Sequence, residues 1–169
     1  MISAELISEV KKQVAIDWHG IHGIRHWARV LENGLYLAGI NGANTEVVQH
    51  FALFHDSCRL GEGSDPDHGP RGALLARQLY SKGLVQLQAQ ELDLLVTACK
   101  YHTLSDCHDD VTVRTCFDAD RLDLGRVGIY PDRWLLCTEE AKKVETIKWA
   151  FAQSKSPQLP RNILSLAAP

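Results

Sequence analysis

The chain has 169 residues, enough for one domain with a sizeable buried core. Its 45% hydrophobic and 23% charged content is that of an ordinary globular protein, and no apolar run reaches the length of a membrane span. A net charge of −3 provides no basic stripe, which argues against a nucleic-acid polymer as partner.

Val- and Ile-rich alternating runs are missing, so the expected fold is all-α, with six to eight helices. The first helix is expected from about Ser3 to Asp17, with Leu6, Val10 and Val14 on one stripe; it reads as an amphipathic helix rather than a signal peptide. A Gly-rich turn, His19 to Gly23, precedes a second helix from about Ile24 to Gly39–Gly42. Asn44 or Thr45 caps a third, which carries Val48, Phe51, Ala52 and His55. After a small, acidic loop from Arg59 to Asp67, a fourth begins at His68 to Pro70 and ends near Lys82-Gly83. A fifth spans about Gln88 to His102, and a sixth about Val111 to Arg126. Thr138-Glu139-Glu140 is expected to open the last helix, whose Val144, Ile147 and Phe151 cap the core or a dimer. About residues 1–153 are read as one domain, with 154–169 as a Pro-containing tail. The five cysteines (Cys58, Cys99, Cys107, Cys116 and Cys137) contain no Cys-x-x-Cys pair, which suits a reduced, cytoplasmic protein with thiols as small core residues.

The most informative feature is the doublet His55-Asp56 inside the apolar run Phe51 to Cys58. An imidazole and a carboxylate in a core helix are costly unless compensated, and a cation compensates both. Helical spacing puts His26 on a stripe with Val30, Gly34 and Leu37, and His102 behind Leu92, Leu95 and Cys99. It puts Asp120 between Cys116 and Phe117 on one side and Leu124 and Val127 on the other. One such histidine is ordinarily a hydrogen-bonded core residue. Four ionisable residues on four apolar faces point instead to a metal site. Asp118 lies nearly opposite Asp120 and reads as a supporting or surface group. His22, one turn before His26, reads as a supporting residue; His19, His50 and His108 read as surface residues.

These residues resemble the HD superfamily of metal-dependent phosphohydrolases, and in particular a small bacterial branch. The resemblance covers about residues 18–128 and rests on three elements in order. They are His22-Gly-Ile-Arg-His26-Trp-Ala-Arg29-Val30, the His55-Asp56 doublet, and Asp118-Ala119-Asp120-Arg121-Leu122-Asp123. It implies a helical domain with a metal held by His26, His55, Asp56 and Asp120. It further implies that His68 and His102 either hold a second metal, with Asp56 bridging, or act as general acids or phosphate ligands. The ligand types accept Mn, Fe, Co, Ni or Zn.

Six basic groups lie near these positions: Arg25, Arg29, Arg59, Arg71, Lys100 and Arg121. Most should be solvated or paired with Asp65, Asp67, Asp118 or Asp123; Arg59, one turn after His55, is the expected substrate contact. The leading expectation is hydrolysis of a small phosphate ester, such as a nucleotide, by a metal-activated water. Asp56, Arg59, His68 and His102 would then be the catalytic groups. The resemblance also carries an oxidative reading, because a few members use six such ligands for a di-iron oxygenase. A non-catalytic metal- or nucleotide-binding module is the third.

Overall fold

The computed structural model describes residues 2–162 and 164. Among them are seven α-helices and no strand, so the all-α expectation holds. The helices are α1 (Ala4–Lys11), α2 (Ile24–Asn41), α3 (Thr45–Phe54), α4 (His68–Ser81), α5 (Ala89–Tyr101), α6 (Val111–Arg121) and α7 (Val144–Lys155). Two 3-10 turns, Leu124–Val127 and Arg133–Leu135, lie between α6 and α7.

Local chemistry sets most of these boundaries. The Asn44 side chain accepts from the backbone N–H groups of Glu46 (2.9 Å) and Val47 (3.1 Å), and Asp110 does the same for Thr112 (2.8 Å) and Val113 (3.1 Å). Gln88 and Glu91 form a reciprocal capping box at α5. Gly42 ends α2 at a φ of 76°, a left-handed conformation that costs glycine little.

Helix α2 packs on α3 and α6, while α5 packs on α4 and α3. Helix α3 is therefore central, and Val47, Val48, Phe51, Ala52, Leu53 and Phe54 are all buried. A smaller apolar cluster, including Leu37, Leu122, Ile147 and Ala150, joins α2 and the end of α6 to α7. No helix among the described residues is long and apolar enough to cross a membrane.

Three boundaries differ from expectation. Helix α1 stops at Lys11 rather than near Asp17, because the chain turns back to place Trp18 edge-on to Trp27, with ring centroids 5.3 Å apart. There Gly23 comes so close to the Trp18 carbonyl that a Cβ would sit 2.1 Å from its oxygen. Helix α6 stops at Arg121, and a 3-10 turn replaces its last turn. Gly125 in that turn sits against α7, where a Cβ would meet Ser154 Oγ at 1.8 Å. Thr138 does not open α7, which begins at Val144. Its hydroxyl and backbone N–H both go to Asp118 Oδ2, each at 2.7 Å.

The described part of the tail folds back on α2. Arg25 donates to the Pro157 carbonyl (2.8 Å), Asn162 Nδ2 donates to the Ala28 carbonyl (2.8 Å), and Leu164 is buried in the main core. Residues 163 and 165–169 of the expected tail lie outside the described residues.

Candidate metal centre

Helix ends aim the candidate ligands at one point. His55 is the C-cap residue of α3, His102 the C-cap residue of α5, and His68 the first residue of α4. His26 projects from the first turn of α2 and Asp120 from the last turn of α6. All four histidines and Asp56 are buried. Two overlapping groups result, His26–His55–Asp56 and Asp56–His68–His102, with the ligand atoms of each within 4.8 Å of one another. Asp120 Oδ1 lies beside the first, 3.3 Å from His26 Nε2, and its side chain is 17% exposed and lines an adjoining cavity.

The hydrogen bonds fix which nitrogen of each ring faces inward. Nδ1 of His55 faces the Phe51 carbonyl (3.2 Å), and Nδ1 of His102 faces the Cys99 carbonyl (2.8 Å). Nδ1 of His68 faces the Asp65 carbonyl, and Nδ1 of His26 faces Asp123 Oδ2 (2.7 Å). A carbonyl oxygen only accepts, so each Nδ1 facing one carries the proton, and the neutral ring turns an Nε2 lone pair to the centre. The Nε2 atoms of His26 and His55 are 3.0 Å apart, and so are those of His68 and His102. Lone pairs at that distance repel unless a proton or cation lies between them. Two nitrogens bound in adjacent octahedral positions at about 2.1 Å from one ion stand about 3.0 Å apart. The donor set therefore fits a divalent transition metal.

Asp56 divides its carboxylate between the two histidine pairs. Oδ2 lies 3.5 Å from His26 Nε2 and 3.7 Å from His55 Nε2, whereas Oδ1 lies 3.1 Å from His68 Nε2.

Electrostatics follow the crowding. Burial pulls the His55 pKa down to about 3, keeping it neutral. Burial also lowers His102. Burial and the Arg126 charge push His26 down, but its hydrogen bonds to Asp120 and Asp123 outweigh them and the net shift is upward. For Asp56 and Asp120, burial opposes ionisation, but the surrounding imidazoles outweigh it and hold both carboxylates well below their ordinary range.

Asp123, expected only as a partner for basic groups, is the missed residue of the site. Besides His26 it accepts from Arg29 Nε (2.6 Å) and Nη2 (3.1 Å), and it is fully buried. The signal was present: His26 and Arg29 stand one turn apart on α2, as Asp120 and Asp123 do across the end of α6. Asp118 is buried but turned away from the site. It accepts from Cys137 N, Thr138 N and Thr138 Oγ1, each at 2.7 Å, and burial raises its pKa.

Of the six basic residues, Arg59 is the one that reaches the ligand side chains among the described residues. Its Nη1 lies 3.4 Å from Asp56 Oδ1 and 3.4 Å from both ring nitrogens of His68, while Nη2 donates to the Gly63 carbonyl (2.7 Å). Arg71 pairs with Asp65 at 2.6 Å, and Lys100 lies over the Tyr101 ring. Arg121 donates to main-chain carbonyls rather than to a carboxylate. His22 bonds Glu62 (2.5 Å), and His19 and His108 are exposed as expected. His50 is not a surface residue: it is fully buried, with Nδ1 bonded to the Glu46 carbonyl (2.7 Å), because most of α3 is packed between neighbouring helices. Comparison with protein-family models, curated proteins and solved structures finds no match to this chain.

Proposed function

We propose that the chain is a metal-dependent phosphohydrolase of the HD type, acting on a small phosphate ester. The observation that carries this reading is the convergence of four Nε2 lone pairs and two carboxylates, with Asp56 shared between two histidine pairs. His26, His55 and Asp120 would hold one ion, His68 and His102 a second, and Asp56 would bridge them. Ligand roles for His68 and His102 are favoured over general acids, because Nδ1 of each donates to a carbonyl.

A divalent metal bound there would supply a hydrolytic nucleophile at neutral pH and polarise the phosphoryl group. The residues do the rest. Asp123 fixes the His26 ring and its tautomer. Arg59, anchored by the Gly61 and Gly63 carbonyls, holds a positive charge beside Asp56 and His68, where phosphoryl oxygens would sit. In the reaction, the water oxygen bonds phosphorus, the ester P–O bond breaks, and the leaving alcohol takes a proton.

Elemental analysis of the purified chain, beside Asp56→Ala, tests this reading. Two transition-metal ions per chain, both lost in the variant, together with metal-dependent phosphate release, are expected. A metal-free protein after reconstitution with manganese, cobalt, nickel, iron or zinc overturns it. Two irons with oxygen consumption and no phosphate release would establish the oxygenase reading instead.

A further inference from the structure

The cavity beside the metal centre has a volume of about 570 Å³, within the range of small-molecule sites. His102 and Asp120 line it, so it opens directly on two of the candidate ligands. Its walls are the α5–α6 loop, with Leu104, and the segment carrying Pro131, Trp134 and Leu135.

The charge inventory of this cavity is one-sided. Among the described residues Arg121 is the one Arg or Lys lining it, and its guanidinium is already engaged. Nη1 donates to the carbonyls of Asp106 and Leu135, and Nη2 to that of Ser105, each at 2.6 Å. These bonds tie one wall to the other, so the cavity is preformed, and they leave Arg121 poorly placed to take a phosphate. The remaining charged side chains are the carboxylates of Asp106, Asp120 and Asp132. A second phosphate on the substrate would meet acids and apolar surface, with no unengaged cation among the lining residues. Trp134, by contrast, is 83% exposed while lining the cavity, an unusual position for the largest aromatic side chain. Arg133 lies over its ring, 5.4 Å from the centroid, and steadies the indole; Arg133 is not part of the lining.

We propose that this cavity receives the alcohol part of the substrate, that this part is an uncharged, ring-bearing group esterified to a single phosphate, and that Trp134 is the specificity-determining residue that stacks on the ring. The inference rests on the phosphohydrolase reading above. Arg59 then serves the one phosphate, and the cavity excludes esters that carry further anionic groups.

Calorimetric binding of non-hydrolysable phosphonates to manganese-loaded protein tests it. Phenylphosphonate should bind about tenfold more tightly than methylphosphonate. A second anion across the ring, in 1,4-phenylenediphosphonate, should abolish the gain. Trp134→Ala should bring phenylphosphonate to within about twofold of methylphosphonate and leave methylphosphonate unchanged. Because the side chain is exposed, the variant's thermal unfolding should match the parent's. In turnover, the variant should raise KM for phenyl phosphate by a larger factor than KM for glycerol phosphate. Equal binding of the two monophosphonates, a preference that survives Trp134→Ala, or tightest binding of the diphosphonate overturns the inference. If metal loads and both monophosphonates bind equally, the phosphohydrolase reading stands and this one falls. If metal does not load, or phosphonate binding is independent of metal, both fall.

Discussion

Asp123→Asn separates the support of the site from its ligands. The Asp123 carboxylate accepts from His26 Nδ1 at 2.7 Å and from Arg29 at 2.6 and 3.1 Å, and Arg126 Nη1 stands 4.0 Å away. Asp123 and Arg29 are both buried, so water cannot replace the lost charge. Breaking one partner of a buried pair costs about 3–5 kcal/mol, most of it from the guanidinium left without a counter-ion. In urea denaturation of the metal-free protein, Asp123→Asn should therefore lose about 3–5 kcal/mol. The double variant Asp123→Asn/Arg29→Met removes the orphaned charge and should recover to within about 2 kcal/mol of the parent. Metal affinity should behave differently. In both variants His26 exchanges its carboxylate acceptor for a weaker, neutral amide oxygen, so chelator competition should show about a tenfold or greater loss in each. An Asp123→Asn variant within about 1 kcal/mol of the parent would refute the energetic argument. Recovery of metal affinity together with stability in the double variant would refute the positioning role.

Further outcomes follow from other parts of the structure. Asp118→Ala leaves three buried donors around Cys137 and Thr138 without an acceptor and should cost about 3 kcal/mol or more in denaturation, while metal affinity per folded chain stays unchanged. Gly34→Ala should destabilise by about 1–3 kcal/mol despite alanine's better helix propensity, because its Cβ would meet Val48 Cγ1 at 2.5 Å; Val48→Ala in the same chain should restore most of the loss. In the metal-free protein, His55 has a folded pKa of about 3 against 6.5 unfolded, so between those values the unfolded chain binds a proton that the folded chain does not. Stability is then complete above about pH 6.5 and falls as pH drops toward 3, by up to about 4–5 kcal/mol from this group. His102, also lowered, adds the same sign; His26 and His68, both raised, are protonated in both states below about pH 5.5 and add no opposing slope. Urea midpoints that stay flat from pH 5.5 to pH 4 would contradict this.

The helices and most of the inward-facing polar residues were legible because both depend on local pattern. Caps such as Asn44 and Asp110 act within three residues, and a polar residue on an apolar stripe is visible at helical spacing. What stayed hidden depends on partners distant in sequence. Asp118 reads as peripheral on α6 until the segment at Cys137 and Thr138 folds over it, and its partners are largely backbone N–H groups, which leave no trace in composition. Arg121 reads as one of six basic groups near the site, most of them solvated or paired with acids, yet carbonyls of two separate segments take its donors. His50 was misplaced for another reason. Helix α3 lies at the centre of the bundle and is exposed only around Thr45, Glu46 and Gln49, so His50 falls on a buried face.

The ring orientations weigh against a purely structural role for the four histidines. A core histidine held for stability is expected to satisfy both nitrogens, since an unmet buried polar atom costs about 1–3 kcal/mol. Here Nδ1 of each ring meets an acceptor, a need that a single hydrogen-bonded residue could meet anywhere in the core. The Nε2 atoms are instead brought together in pairs at 3.0 Å, an arrangement that worsens the core unless something positive joins them. In the metal-free chain a proton on His26 and one on His68, both raised by their carboxylate partners, can bridge the pairs, with His55 and His102 held neutral by burial as the acceptors. Metal ions need neutral imidazoles and ionised carboxylates, the state in which burial and the neighbouring rings hold His55, His102, Asp56 and Asp120. The same shifts that make the metal-free centre acid-labile therefore prepare it to bind cations near neutral pH.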